Sequence, residues 1–133
     1  ILSYDKIGDF VMAEDQIDLA VSPVLGGTDS QTVTLGTDSS STVALDANGK
    51  ITLTGSDVAG ASMVEVLAAM RAVVTDAGEI GFLEFVDPLD GNSTFIYQEN
   101  GSSSSDLFIQ LTGITGIDDT SSLAGDANTL FIA

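Results

Sequence analysis

Apolar and polar positions alternate along most of this chain in short runs separated by turn residues. Thr32-Val33-Thr34-Leu35 and Thr42-Val43-Ala44-Leu45 alternate with period two, as half-buried strands do. Asp46-Ala47-Asn48-Gly49 follows as a turn, Asn-Gly being the strongest short hairpin signal, and Lys50 to Thr54 returns as another alternating strand. The same turn superficially resembles a calcium loop. An EF-hand, however, requires glycine at its sixth position and a bidentate glutamate at its twelfth, and neither is present. Ile80 to Val86, Ser93 to Gln98 and Asp106 to Thr112 also have strand character, joined by loops at Asp87 to Asn92 and Glu99 to Ser105. At the start of the chain an opening strand pair is predicted. In it Ile17 and Leu19 face one side and Asp18 the other.

One segment breaks the alternation. Met63 to Val74 is apolar on nearly every side, with Asp57 or Ser62 available as a cap. Asp76-Ala77-Gly78 ends it, Gly78 being suited to the left-handed position past a helix. This predicts one α-helix over about residues 61–77, buried across a sheet; an amphipathic anchor or partner helix is the sharper alternative. It is too short to span a membrane and carries Glu65 and Arg71. The expected fold is mainly β: a small sandwich or rolled sheet of about seven to nine strands around that helix. Residues 1–133 form a single domain in this scheme. Opening strands take 1–25, Ser/Thr-rich hairpins 26–56, the helix 57–78, and closing strands with a tail 79–133. The last apolar residues, Leu130-Phe131-Ile132, are expected as a final edge strand.

Charge narrows the function. Twenty acids against Lys6, Lys50 and Arg71 give a net charge of −17. Three dispersed cations cannot form a nucleic-acid surface, nor attract an anionic membrane. An apolar fraction of 44% with mean hydropathy +0.33 argues for a folded chain despite that charge. Exposed carboxylates with so few cationic partners need another neutraliser. A divalent cation bound through oxygen, calcium above all, is the natural candidate, and an acidic solvated surface suited to saline surroundings is the alternative. The absence of cysteine fits a secreted protein stabilised by core burial or metal rather than disulfides.

The composition also removes chemistry. Without histidine or cysteine there is no ordinary zinc site and no Ser-His-Asp or Cys-His arrangement. No glycine-rich phosphate loop with its lysine occurs. Paired carboxylates alone can cleave glycosides, but there is no tryptophan for a sugar groove, and no enzyme is expected.

Three segments carry a family resemblance. Ile7-Gly8-Asp9-Phe10, four intervening residues and Asp15-Gln16-Ile17-Asp18-Leu19 resemble the stretch that follows the last nonapeptide repeat of RTX exoproteins. Phe95 to Gly101, four serines and Asp106 to Gly113 are similar to that family's closing hairpin. Leu130-Phe131-Ile132-Ala133 resembles the apolar end of type I secretion substrates such as serralysin-type proteases and RTX-type surface-layer proteins. No G-G-x-G-x-D-x-U-x repeat is present, and the family's glycine before Asp15 is absent from Val11-Met12-Ala13-Glu14.

The resemblance implies the C-terminal part of a longer exported protein at the cell surface or outside. Such a part carries an uncleaved secretion signal for the type I machinery and caps an upstream β-roll. It implies Asp9, Asp15 and Asp18 as calcium ligands on matched positions. Asp106, after the serines, is a further candidate. Asp9 has a turn-capping role as its alternative, and Asp106 a place as a turn residue. Self-assembly into a surface layer or filament is the rival function.

Overall fold

Ile80 to Leu83 is apolar on successive residues because that part of its strand is buried on both faces. The structure, a computed structural model, describes residues 4–19, 21–25, 27–101 and 106–117, and the backbone of 123–126 and 129–132. In chain order the strands are β1 (Asp5–Ile7), β2 (Gln16–Asp18), β3 (Asp29–Leu35), β4 (Asp38–Leu45) and β5 (Ile51–Thr54). A 3₁₀ turn, Val58–Gly60, precedes α1 (Met63–Val73). Then come β6 (Ile80–Asp87), β7 (Gly91–Gln98), β8 (Leu107–Thr112), β9 (Leu123–Asp126) and β10 (Thr129–Ile132). The fold is mainly β with a single α-helix among the described residues, as the alternation predicted.

These strands form three sheets, ordered β1-β8-β7-β6, β3-β4-β5 and β2-β10-β9. The four-stranded sheet is the centre. On one of its faces Leu83, Phe85, Phe95 and Tyr97 join a core with α1 and the inner side of β3-β4-β5. Its alternate positions, Ile80, Phe82, Ile96, Ile109 and Leu111, join a second core with Phe10, Ile17, Leu19 and Ile117. Period two therefore feeds two cores from one sheet. Each large side chain buried there contributes about 1.5–3 kcal/mol. A pair of exposed carboxylates about 6 Å apart in water costs only about 0.7 kcal/mol. Burial outweighs surface repulsion.

The helix is shorter than the expected 61–77. Ser62 caps it, accepting from the Glu65 N–H while the Glu65 carboxylate accepts from the Ser62 N–H, a complete capping box. Asp57 instead precedes the 3₁₀ turn. The β-branched run Val73-Val74-Thr75 disfavours continuation. Val74 turns extended and buries its side chain in the core. Gly78 has a φ of 86°, five residues beyond the helix, and serves the turn into β6 rather than a helix cap. Gly81, inside β6, lets Ile51 and Val74 close over the strand: a Cβ there would lie 2.6 Å from Ile51 Cδ1.

Two other expectations are corrected. β1 and β2 do not pair with each other; β1 runs parallel to β8 and β2 antiparallel to β10. β10 is not an edge strand but the middle of its sheet, with β2 on one side and β9 on the other. The serine run 102–105 and the Asp118-Asp119 stretch lie outside the described residues. Among the described residues, no helix is long and apolar enough to cross a membrane.

Candidate functional site

Aspartate and glutamate dominate the chemistry available to this chain, so their partners decide what a site here can be. Asp9, Asp15 and Asp18 all lie in the exposed opening segment. Ile17 and Leu19 are buried, which turns Asp18 outward as the alternation required. Asp15 closes a turn on itself: its Oδ2 accepts the Val11 N–H at 2.7 Å, and its own N–H donates to the Val11 carbonyl at 2.9 Å. Within that turn Ala13 has a φ of 68°, a left-handed conformation that favours glycine. The resemblance expects a glycine in this spacer.

Asp106 is differently employed. Its Oδ2 accepts the Tyr97 hydroxyl at 2.8 Å and its Oδ1 the Asn100 N–H at 3.1 Å. The Arg71 guanidinium stands 3.9 Å from Oδ2 and covers the Tyr97 ring at 5.8 Å. Burial, and then the hydrogen bond to Asp106, push the Tyr97 hydroxyl well above the ordinary tyrosine range. The aspartate thereby ties β7 to β8 across the serine connection. Among the described residues, no three acidic groups gather closely enough to hold a metal ion.

Two further carboxylates, Asp38 and Asp57, brace loops in a way the sequence did not reveal, Asp57 being read there as a candidate helix cap. Asp57 Oδ2 accepts both the N–H and the hydroxyl of Thr37, and Asp38 Oδ2 accepts both from Ser56 at 2.8 and 3.0 Å. Asp38 Oδ1 takes the same pair of donors from Ser40. The β3–β4 turn and the β5–α1 connection are thus braced reciprocally. Donation from Ser56 and then Ser40 holds the Asp38 carboxyl well below the usual range. Thr37 does the same for Asp57, and the Ser62 cap for Glu65. Asp46 Oδ1 accepts from Asn48 and Lys50, with Gly49 at a φ of 79°, so the Asn-Gly segment is the hairpin turn its sequence predicted.

A different feature lies along the outer edge of β6. A groove of 880 Å³ there is lined by Val58, Glu84, Phe85, Val86 and Pro88 and extends past β6 to Asn92 and Ser93 of β7. No protein-family model, characterised protein or solved structure matches this chain.

Proposed function

We propose that this chain is a non-catalytic, calcium-associated module of an exported RTX-like protein, bearing an uncleaved secretion signal near its C-terminal end and capping an upstream β-roll. One observation supports it above the others. The segments that resemble the family, at opposite ends of the chain, are neighbours in space: Thr129, Leu130 and Phe131 pair with Asp18, Ile17 and Gln16. The closing hairpin adjoins them through the parallel pairing of Asp5, Lys6 and Ile7 with Ile109, Gln110 and Leu111. The remaining chain, with β3-β4-β5 and α1, packs on the opposite face of the central sheet. In this reading the opening and closing motifs build one end of the domain, where β1 leads in from the upstream roll.

Calcium belongs to the same proposal as the neutraliser of the exposed opening segment. Asp9, Asp15 and Asp18 do not gather into one cluster, so in this reading each offers its carboxylate singly, with backbone oxygens and water completing the shell. Modules of this kind bind calcium at roughly 10⁻⁴–10⁻³ M, so the ion is acquired outside the cell.

Export tests the signal. Removing residues 116–133 from the full-length protein is expected to leave it in the cytoplasm, and secretion at the normal level overturns the assignment. Calcium is tested separately by melting the purified chain in EGTA, in millimolar calcium and in millimolar magnesium. A rise specific to calcium supports the ion's part; identical melting temperatures remove it.

A further inference from the structure

β6 carries an open hydrogen-bonding edge. Phe82 donates its N–H to the Gly49 carbonyl at 2.8 Å, and Ile80 donates to Val24 at 3.1 Å, both away from β7. Backbone groups alternate sides along a strand, so those of Glu84 and Val86 face the same outer edge. Among the described residues, the outward backbone N–H and C=O of neither has a backbone partner; the Glu84 carboxylate, on the face of the sheet, accepts the Gly116 N–H. Across the gap stands β5, which meets β6 at the single parallel bridge between Lys50 and Phe82 and then diverges. Lys50 turns its carbonyl to the Asp46 N–H, so by the same alternation Leu53 presents its backbone toward the gap.

A space of 220 Å³ separates the two diverging strands, with Ile51 and Leu53 on one wall and Leu83 and Phe85 on the other. It shares Val58, Glu84 and Phe85 with the larger groove along β6. Val86 is 62% exposed beside it. The edge thus combines unpaired backbone groups at alternate residues with apolar side chains, the two components by which a sheet accepts an added strand.

We propose that the outer edge of β6 is a docking site for an extended segment of a partner polypeptide, apolar on one side and bearing lysine or arginine. The two-residue spacing of open groups at Glu84 and Val86 selects a strand over a helix. Because β5 and β6 run parallel at their bridge, a strand lying antiparallel to both satisfies Leu53 on one side and Glu84 and Val86 on the other. Charge selects the partner. A net charge of −17 disfavours a second copy of this chain, and Glu84 stands in the wall of the groove. This surface is independent of the export proposal, since the opening strand β1 occupies the opposite edge of the same sheet.

The test uses the full chain, isotope-labelled, and a blocked peptide of alternating valine and lysine, with a valine–glutamate peptide as comparison. Saturable shifts at the amides of Leu53, Glu84 and Val86 are expected with the lysine peptide alone. Val86→Pro, which removes an outward N–H, is expected to weaken binding about tenfold. Glu84→Gln should weaken it less and flatten its salt dependence. Equal binding by Val86→Pro, equal binding of the glutamate peptide, or unsaturable shifts spread over the acidic surface overturns the proposal. Concentration-dependent shifts of the same amides without peptide also overturn it, by assigning the edge to a second copy. Should Val86→Pro not fold, hydrogen exchange in the unaltered chain decides: slower exchange at Glu84 and Val86 with the lysine peptide supports the site, and unchanged exchange rejects it.

Discussion

Thr37 gives both its N–H and its hydroxyl to a single oxygen of Asp57, at 2.7 and 2.9 Å, across twenty residues of chain. Ser56, the neighbour of Asp57, returns the same two donors to Asp38, the neighbour of Thr37. Charged acceptors make the stronger hydrogen bonds, so this reciprocal pair locks two loops that local propensity leaves loose.

The brace makes stability depend on acid in a defined direction. The folded state holds the Asp38 and Asp57 carboxyls below the ordinary aspartate value of 3.8, so the unfolded chain binds protons first as pH falls. Their contribution is present above pH 3.8 and is lost as pH drops toward the folded-state values. Asp38→Asn is therefore expected to be less stable than the unaltered chain at pH 7, with the difference shrinking below pH 3.8. Urea unfolding at a series of pH values measures it; a gap that stays constant down to pH 2 contradicts the brace.

Ala13 occupies a left-handed position at a φ of 68°. An L-residue with a Cβ costs about 1–2 kcal/mol there, a cost that glycine avoids apart from its larger unfolded-state entropy. Ala13→Gly is expected to stabilise the chain by about 0.5–1 kcal/mol. A destabilised variant in denaturant titration would show that the turn is not held in this conformation.

Ser62 and Glu65 share one capping box. Ser62→Ala removes the side-chain acceptor for the Glu65 N–H and is expected to cost about 1 kcal/mol in urea unfolding. Glu65→Gln retains an acceptor and should cost less. Equal losses would mean that the carboxylate charge, rather than the hydroxyl, anchors the helix start.

Tyr97 is expected to resist ionisation. Its hydroxyl is raised first by burial and then by Asp106, so the folded chain keeps the proton that the unfolded chain releases near pH 10. Stability from this group is complete below pH 10 and is lost as pH climbs toward the folded-state value. Absorbance titration should show Tyr97 remaining protonated at pH 10.5 until the chain unfolds. Tyr97→Phe should abolish the delayed step.

Deleting residues 129–133 removes the central strand between β2 and β9. Amides of residues 16–18 are then expected to exchange at near-unprotected rates, while β6 and β7 retain protection. Unchanged protection at Ile17 would separate the terminal strand from the opening segment.

Much of the architecture was legible in local pattern. Val33 and Leu35, and Val43 and Leu45, recur every second residue because one face of their sheet meets the core. Gly49 follows Asn48 because the hairpin needs a positive φ there. The helix was visible as a non-alternating apolar run, although its last turn was not. The apolar pattern continues through Val74, but the β-branched run and the burial of the Val74 side chain in the core end the helix at Val73. The roles of the individual carboxylates were less legible. Asp106 and Asp38 resemble any loop aspartate in sequence. Their roles depend on Tyr97, nine residues away, and Ser56, eighteen residues away.

The sequence alone determined the β-rich class, the single helix, the acidic surface and the absence of histidine and cysteine chemistry, because these follow from residue type and short-range periodicity. Tertiary structure alone decided that Leu130 lies opposite Ile17, that β1 joins β8, and that, among the described residues, the outer edge of β6 has no backbone partner beyond Phe82. Strands of three or four residues carry too little local pattern to choose a partner. Their pairing is selected by burying the two faces of one central sheet, a condition that only the assembled chain satisfies.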